Sequence, residues 1–176
     1  MPRSQKGQAM VEFALVSIIL VFLLGGAIEF GFLFADKLAL NNAARSGARW
    51  ATDNSVTAPA TIWSGAASAP VNSIEGQVQS AGSTAGLPNQ DITSGVGIKI
   101  EYFDTTGAAP VLCGHVHAAG GTASYVADNA DSQAQCVARG NLVRVTVSNT
   151  YPFVTKLLSF LPTPVLNATA TFEVMN

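Results

Sequence analysis

The chain has 176 residues, room for one small domain plus an anchor or tail, and only 11% of them are charged where soluble domains usually carry roughly 25%. With a formal net charge of −2, no basic surface argues for nucleic acid, and no nucleic-acid partner is expected. The shortage of charge is local: no ionisable side chain lies between Glu12 and Glu29, and Phe13 to Leu24 is almost wholly Leu, Ile, Val, Phe and Ala.

The N-terminus is the most informative stretch. Met1 to Gly7 reads MPRSQKG, with Arg3 and Lys6 basic, and Gln8 to Glu12 leads straight into the apolar run. A secretory signal peptide would have this basic start and apolar centre, with Gly25-Gly26-Ala27 as a cleavage site. It would gain nothing from Glu12 at the mouth of the run. A plain transmembrane helix from Phe13 to Ile28 would rise about 24 Å, short of a bilayer core of about 30 Å. Extending it through Ala35 reaches that thickness but places Glu29 in lipid, where a lone carboxylate is costly and marks function.

A third reading accounts for both acids. Gly7 followed by Gln-Ala-Met-Val-Glu-Phe resembles the processing site of type IV prepilins: a short basic leader, a glycine, glutamate as the fifth residue after it, then an aromatic. The resemblance implies that a prepilin peptidase cuts after Gly7, so that residues 1–7 are a leader and Gln8 becomes the N-terminus. The longer run GQAMVEFALV…GGAIEFGFLFADKLALNNAARSGARWA resembles the TadE-like pseudopilins of the Tad (tight-adherence) branch. LVRVTVSNTYPF and LNATATFEVMN resemble that family's C-terminal strands more loosely, and the middle of the chain carries no such signature.

This resemblance implies an α+β, pilin-like fold in which residues 8–54 form a long helix with a membrane and polymerisation half, and 55–176 form an exported domain. It implies a minor pilin or pseudopilin of a Tad-type pilus or secretion apparatus, active in assembly and adhesion, without enzyme activity or cofactor. Implied partners are other pilin subunits through the N-terminal helix, the prepilin peptidase, the membrane, and an inner-membrane assembly platform. The implied location is the cytoplasmic (inner) membrane, single-pass, with the domain outside the cytoplasm or in an extracellular pilus. Glu12 and Phe13 would set the register between subunits. Glu29 could do so with Lys37 or Arg45 of a neighbour, although a carboxylate snorkelling near the outer surface is the simpler account. The alternative is a singly anchored exported binding module that never polymerises.

Further along, Leu40, Ala43, Ala44, Gly47, Ala48 and Ala51 share one helix face beside a polar stripe of Lys37, Asn41, Arg45 and Arg49. Such small side chains would let a sheet approach the helix backbone closely. The helix is expected to run to about Thr52, with a stop at Asp53-Asn54-Ser55. Ser55 to Pro70 reads as a loop, and Val71 to Ala85 as a weak amphipathic helix on Ile74, Val78 and Ala81, ended by Leu87-Pro88.

Three strands follow from period-two alternation. Val96, Ile98, Ile100 and Tyr102 form one face, opposite Lys99 and Glu101; Val143, Val145 and Val147 form another; Ala168, Ala170, Phe172 and Val174 a third. Half-buried strands of this kind imply a small antiparallel sheet covered by the second half of the long helix. Ala108 to Gly140 reads as a surface decoration between strands. It holds the two cysteines, Cys113 and Cys136, which are either one disulfide formed after export or two free thiols. Pro152 to Pro164 is denser in apolar residues than a loop needs, so it either completes the core or forms a patch for a neighbouring subunit or the membrane surface.

His115 and His117 beside Cys113 sketch a metal site, but a disulfide would consume both sulfurs, and exposed loop histidines are the preferred account, with no metal expected. No nucleophile elbow, phosphate loop or dinucleotide fingerprint occurs, so no catalytic residues are expected.

Overall fold

The computed structural model describes residues 4–54, 63, 72–82, 97–119, 122–155 and 160–175. Most of the loop expected at 55–70 and the helix end expected at Leu87-Pro88 lie outside them.

Helix α1 runs unbroken over Ser4–Asn54, 51 residues, or about 77 Å at 1.5 Å per residue. Its two halves differ in what they bury. Met10 to Leu24 keep their large apolar side chains exposed, whereas Leu40, Ala43, Ala44, Gly47, Ala48 and Ala51 are all buried. The small-residue stripe is therefore the face on which the domain sits, as its spacing predicts. At the far end the Met175 N–H donates to the Thr52 carbonyl at 3.1 Å, occupying one of the acceptors a helix C-terminus leaves open.

The second helix, α2 (Ile74–Ala81), is shorter than expected. The Ser73 side chain caps it by accepting from the Gly76 N–H at 3.1 Å. Ile74 and Val78 are buried, while Ala81 is exposed. This helix packs tightly on α1: a Cβ at Gly47 would lie 2.4 Å from Val78 Cγ2.

Beside the helices lies one five-stranded antiparallel sheet. Strands β1 (Gly97–Asp104), β2 (Val111–Ala119), β3 (Thr122–Ala127), β4 (Leu142–Thr150) and β5 (Val165–Glu173) are arranged in the order β3-β2-β1-β4-β5. The three strands expected from alternation are β1, β4 and β5. Ile98, Ile100, Tyr102, Val143, Val145, Val147, Ala168, Ala170 and Val174 all join the core. Phe172 is 39% exposed, beside Arg45 and Arg49 at the edge of the cover that α1 provides.

The expectation of a decorative excursion at 108–140 is corrected. That segment contributes β2 and β3, and β2 pairs directly with β1. It then forms the short helix α3 (Gln133–Cys136), held by a capping box between Ser132 and Gln135.

The C-terminal strand runs alongside α1 in the same direction. Lys37 Nζ donates to the Asn167 carbonyl near the start of β5, and Met175 reaches Thr52 just beyond its end. The span from 37 to 52 is about 22 Å of helix, and 167 to 175 is about 26 Å of strand, so the two bonds agree. The described parts of the β4–β5 connection, 151–155 and 160–164, consequently lie at the end of the domain nearest the apolar half of α1.

Candidate functional site at Glu29

The residues expected to serve assembly lie on the exposed half of α1. Gly7, Gln8 and Glu12 are solvent-exposed in the isolated chain, and Phe13 is 74% exposed. None of them touches the globular domain in any contact seen among the described residues. This half of the helix has an unpartnered apolar surface all round, with one carboxylate at its beginning.

Glu29 is different. It is only 2% exposed, and the expectation of a snorkelled carboxylate is corrected: Glu29 turns into the protein. Oε1 accepts from the Tyr151 hydroxyl at 2.9 Å and from the Val154 N–H at 2.7 Å. Oε2 accepts from the Thr155 N–H at 2.8 Å. A carboxylate taken from water needs such donors, and hydrogen bonds to a charged acceptor are about twice as strong as neutral ones. The apolar helix is thereby clamped to the β4–β5 connection at one ionised group.

The connection is organised around the same point. The Tyr151 N–H donates to the Pro164 carbonyl at 2.9 Å, closing the two ends of the loop on each other. Tyr151 packs edge-on against Phe153, with ring centroids 6.1 Å apart. Burial raises the Tyr151 hydroxyl to about 12, helped by its bond to Glu29 and that residue's charge, so it remains a donor across the physiological range. Of the apolar residues in the loop, Tyr151 is buried, but Val154, Phe160 and Leu161 are exposed. Among the described residues the stretch 152–164 thus presents an apolar patch at Val154, Phe160 and Leu161, while Leu157 and Leu158 lie outside the described residues.

At the opposite end of the domain the disulfide joins Cys113 to Cys136, with a sequence separation of 23. A bulge places Cys113 there: Tyr102 pairs with Gly114 but Phe103 pairs with Leu112, so Cys113 is the extra residue on β2. Gly114 carries no side chain because the Tyr125 ring lies over it, and a Cβ there would sit 2.2 Å from the ring. Trp63 stacks on Tyr125 and donates through Nε1 to the Tyr102 hydroxyl at 3.2 Å. Burial raises the Tyr125 hydroxyl, with Asp128 and Asp131 adding to the shift.

His115 and His117 lie on one face of β2, as expected of an extended segment. His115 Nδ1 is 2.7 Å from Asp128 Oδ2, and both cysteine sulfurs are committed to each other, so the sketched Cys-His-His arrangement does not assemble. Replacing both cysteines with alanine should lower stability by about 3 kcal/mol on the chain-entropy estimate. Urea denaturation with and without reductant measures this directly, and identical midpoints would show that the disulfide contributes nothing.

Residues 7–49 match a family model described as TadE-like protein. The match covers most of α1 and none of the sheet. No curated protein and no solved structure matches the chain.

Proposed function

Because the chain is TadE-like over residues 7–49, we propose that it is a membrane-anchored minor pilin, or pseudopilin, of a Tad-type pilus or secretion apparatus. Its role is structural and requires no catalytic group. The observation that carries this reading is the division of α1: the domain covers residues 40–51 and leaves the apolar surface of 7–28 bare. A helix that is apolar all round belongs in lipid or among similar helices. Both environments are those of a pilin subunit, first in the membrane and then in a filament.

Arg3 and Lys6 flank the apolar run on one side and hold that end in the cytoplasm by the positive-inside tendency, which leaves the sheet outside. Cleavage after Gly7 removes both charges and leaves the amine of Gln8 one helical turn from Glu12. The domain supplies adhesive surface and the helix supplies assembly contacts. The size of the domain beyond the helix fits a component that primes or caps a filament and is present at low copy.

Intact-mass analysis of native protein, with proteomics of sheared filaments, tests this. The expected mature chain begins at Gln8 and co-purifies with filaments well below the major subunit. A full-length monomer retained in the membrane would point instead to an anchored binding module. A chain beginning near Ile28 would mean that the apolar run is a signal peptide, and no anchor would remain.

A further inference from the structure

We propose that the β4–β5 connection is a membrane-contacting foot, whose exposed apolar residues Val154, Phe160 and Leu161 rest in the lipid interface on the extracytoplasmic side. The proposal depends on the anchored reading above and adds a second contact with the bilayer, made by the globular domain itself.

Height along the helix is the first argument. With Glu12 at the inner boundary, a hydrocarbon core of about 30 Å spans about twenty residues of helix and ends near Phe32. Glu29 then lies just inside the outer boundary. The Val154 and Thr155 amides bond directly to its carboxylate, so this part of the loop is at the same depth. The parallel course of β5 and α1 places the described parts of the connection, 151–155 and 160–164, at the membrane-proximal end of the domain.

Surface chemistry is the second. Val154 is 61% exposed and Phe160 73%, although apolar side chains were available to a core a few residues away. On α1 Phe30, Phe32 and Phe34, within about 8 Å of Glu29 along the axis, are also exposed, so the apolar surface of the helix reaches the level of the loop. Lipid fits the exposed loop residues because they stand level with the surface the anchor already presents.

The polar atoms at this depth are the third. Unsatisfied backbone groups and lone carboxylates are excluded from lipid-facing positions. Glu29 Oε1 and Oε2 take up the Tyr151 hydroxyl and the Val154 and Thr155 amides, and the Tyr151 amide pairs with the Pro164 carbonyl, which leaves the Thr155 hydroxyl as the buried polar group here without a partner among the described residues. The carboxylate therefore carries its own solvation into the interface. The same bonds turn the side chain of Val154 outward.

Depth-dependent fluorescence quenching tests the foot on the full chain, reconstituted into phosphatidylcholine–phosphatidylglycerol vesicles. Both native cysteines are in the disulfide, so an added cysteine is the sole free thiol for an environment-sensitive fluorophore. Four variants are compared: Val154→Cys and Phe160→Cys in the foot, Leu20→Cys in the anchor and Thr106→Cys away from both. Lipids spin-labelled near the headgroup should quench most of the emission at 154 and 160, and lipids spin-labelled near the acyl terminus should quench position 20. Position 106 should be unaffected by either.

Quenching at 20 without quenching at 154 and 160 would overturn the foot while leaving the anchor in place. No quenching at 20 would remove the anchored reading and the foot with it. Blue-shifted emission at 154 and 160 that resists lipid quenchers and grows with protein density would show that a second copy covers the loop, which also overturns the proposal.

Discussion

Glu29→Ala is expected to be the most damaging single change outside the core, lowering the stability of the full chain in detergent micelles by about 2–4 kcal/mol. The carboxylate accepts three hydrogen bonds from one short segment of the β4–β5 connection. Two of the donors are backbone amides that have no side-chain freedom with which to find another acceptor. Removing the acceptor strands them beside an apolar helix, and a lost partner costs more than a made bond contributes. Glu29→Gln should cost roughly half as much, because its carbonyl can still serve Tyr151 and Val154 while its amide faces the Thr155 N–H as donor against donor. Tyr151→Phe removes one bond and should cost about 1 kcal/mol. Urea denaturation followed by tryptophan fluorescence reads the order Ala, Gln, Phe. Hydrogen exchange at the Val154 and Thr155 amides should accelerate in both Glu29 variants. Unchanged protection at those amides would mean that the clamp seen here does not hold the loop.

Glu12→Gln should act at the other end of the helix and on a different property. Glu12 is exposed and far from the domain, so folding and membrane insertion should be unaffected. In a bundle of apolar helices, however, this carboxylate needs a compensating charge or must protonate. Maturation after Gly7 would supply one, the amine of Gln8 on a staggered neighbour. At about 4 Å and an effective dielectric of roughly 20 the attraction is about 4 kcal/mol before desolvation is subtracted. If a third of that survives, incorporation falls by about tenfold, since 1.4 kcal/mol is a factor of ten. The amount of variant protein in sheared filaments, at native expression, measures the effect. Wild-type incorporation of Glu12→Gln would show that the residue does not set register, and would favour the non-polymerising module.

Much of the architecture is legible in the sequence because it follows simple periods. The stripe Leu40, Ala43, Ala44, Gly47, Ala48 and Ala51 has helical spacing, and all six residues are buried. The alternating valines at 143, 145 and 147 form a strand with one buried face, as expected, and Cys113 meets Cys136. The β2–β3 hairpin escaped for an equally physical reason. Its bulge shifts the phase of β2, so the buried side chains at Cys113 and Val116 are three residues apart and period two is lost. Gly114, where an inward side chain would be sought, holds the space of the Tyr125 ring. Glu29 stands out in the sequence but its donors do not, because two of the three are backbone amides, which every non-proline residue possesses. An acid at the end of an apolar run signals a partner; it does not say that the partner is main chain more than a hundred residues later.

The shared direction of β5 and α1 has a mechanical meaning. If the chain is the filament subunit proposed above, held by its N-terminal helix and loaded through its domain, tension would run along the α1 axis. Because β5 lies along that axis and pairs with β4 from Val165 to Glu173, the pull is resolved into sliding of one strand past the other. In that geometry the ladder bonds bear force together, whereas a strand peeled from its end would surrender them one at a time. In that reading the sheet would be oriented to resist traction, with the Glu29 clamp fixing its lower corner to the helix that transmits it.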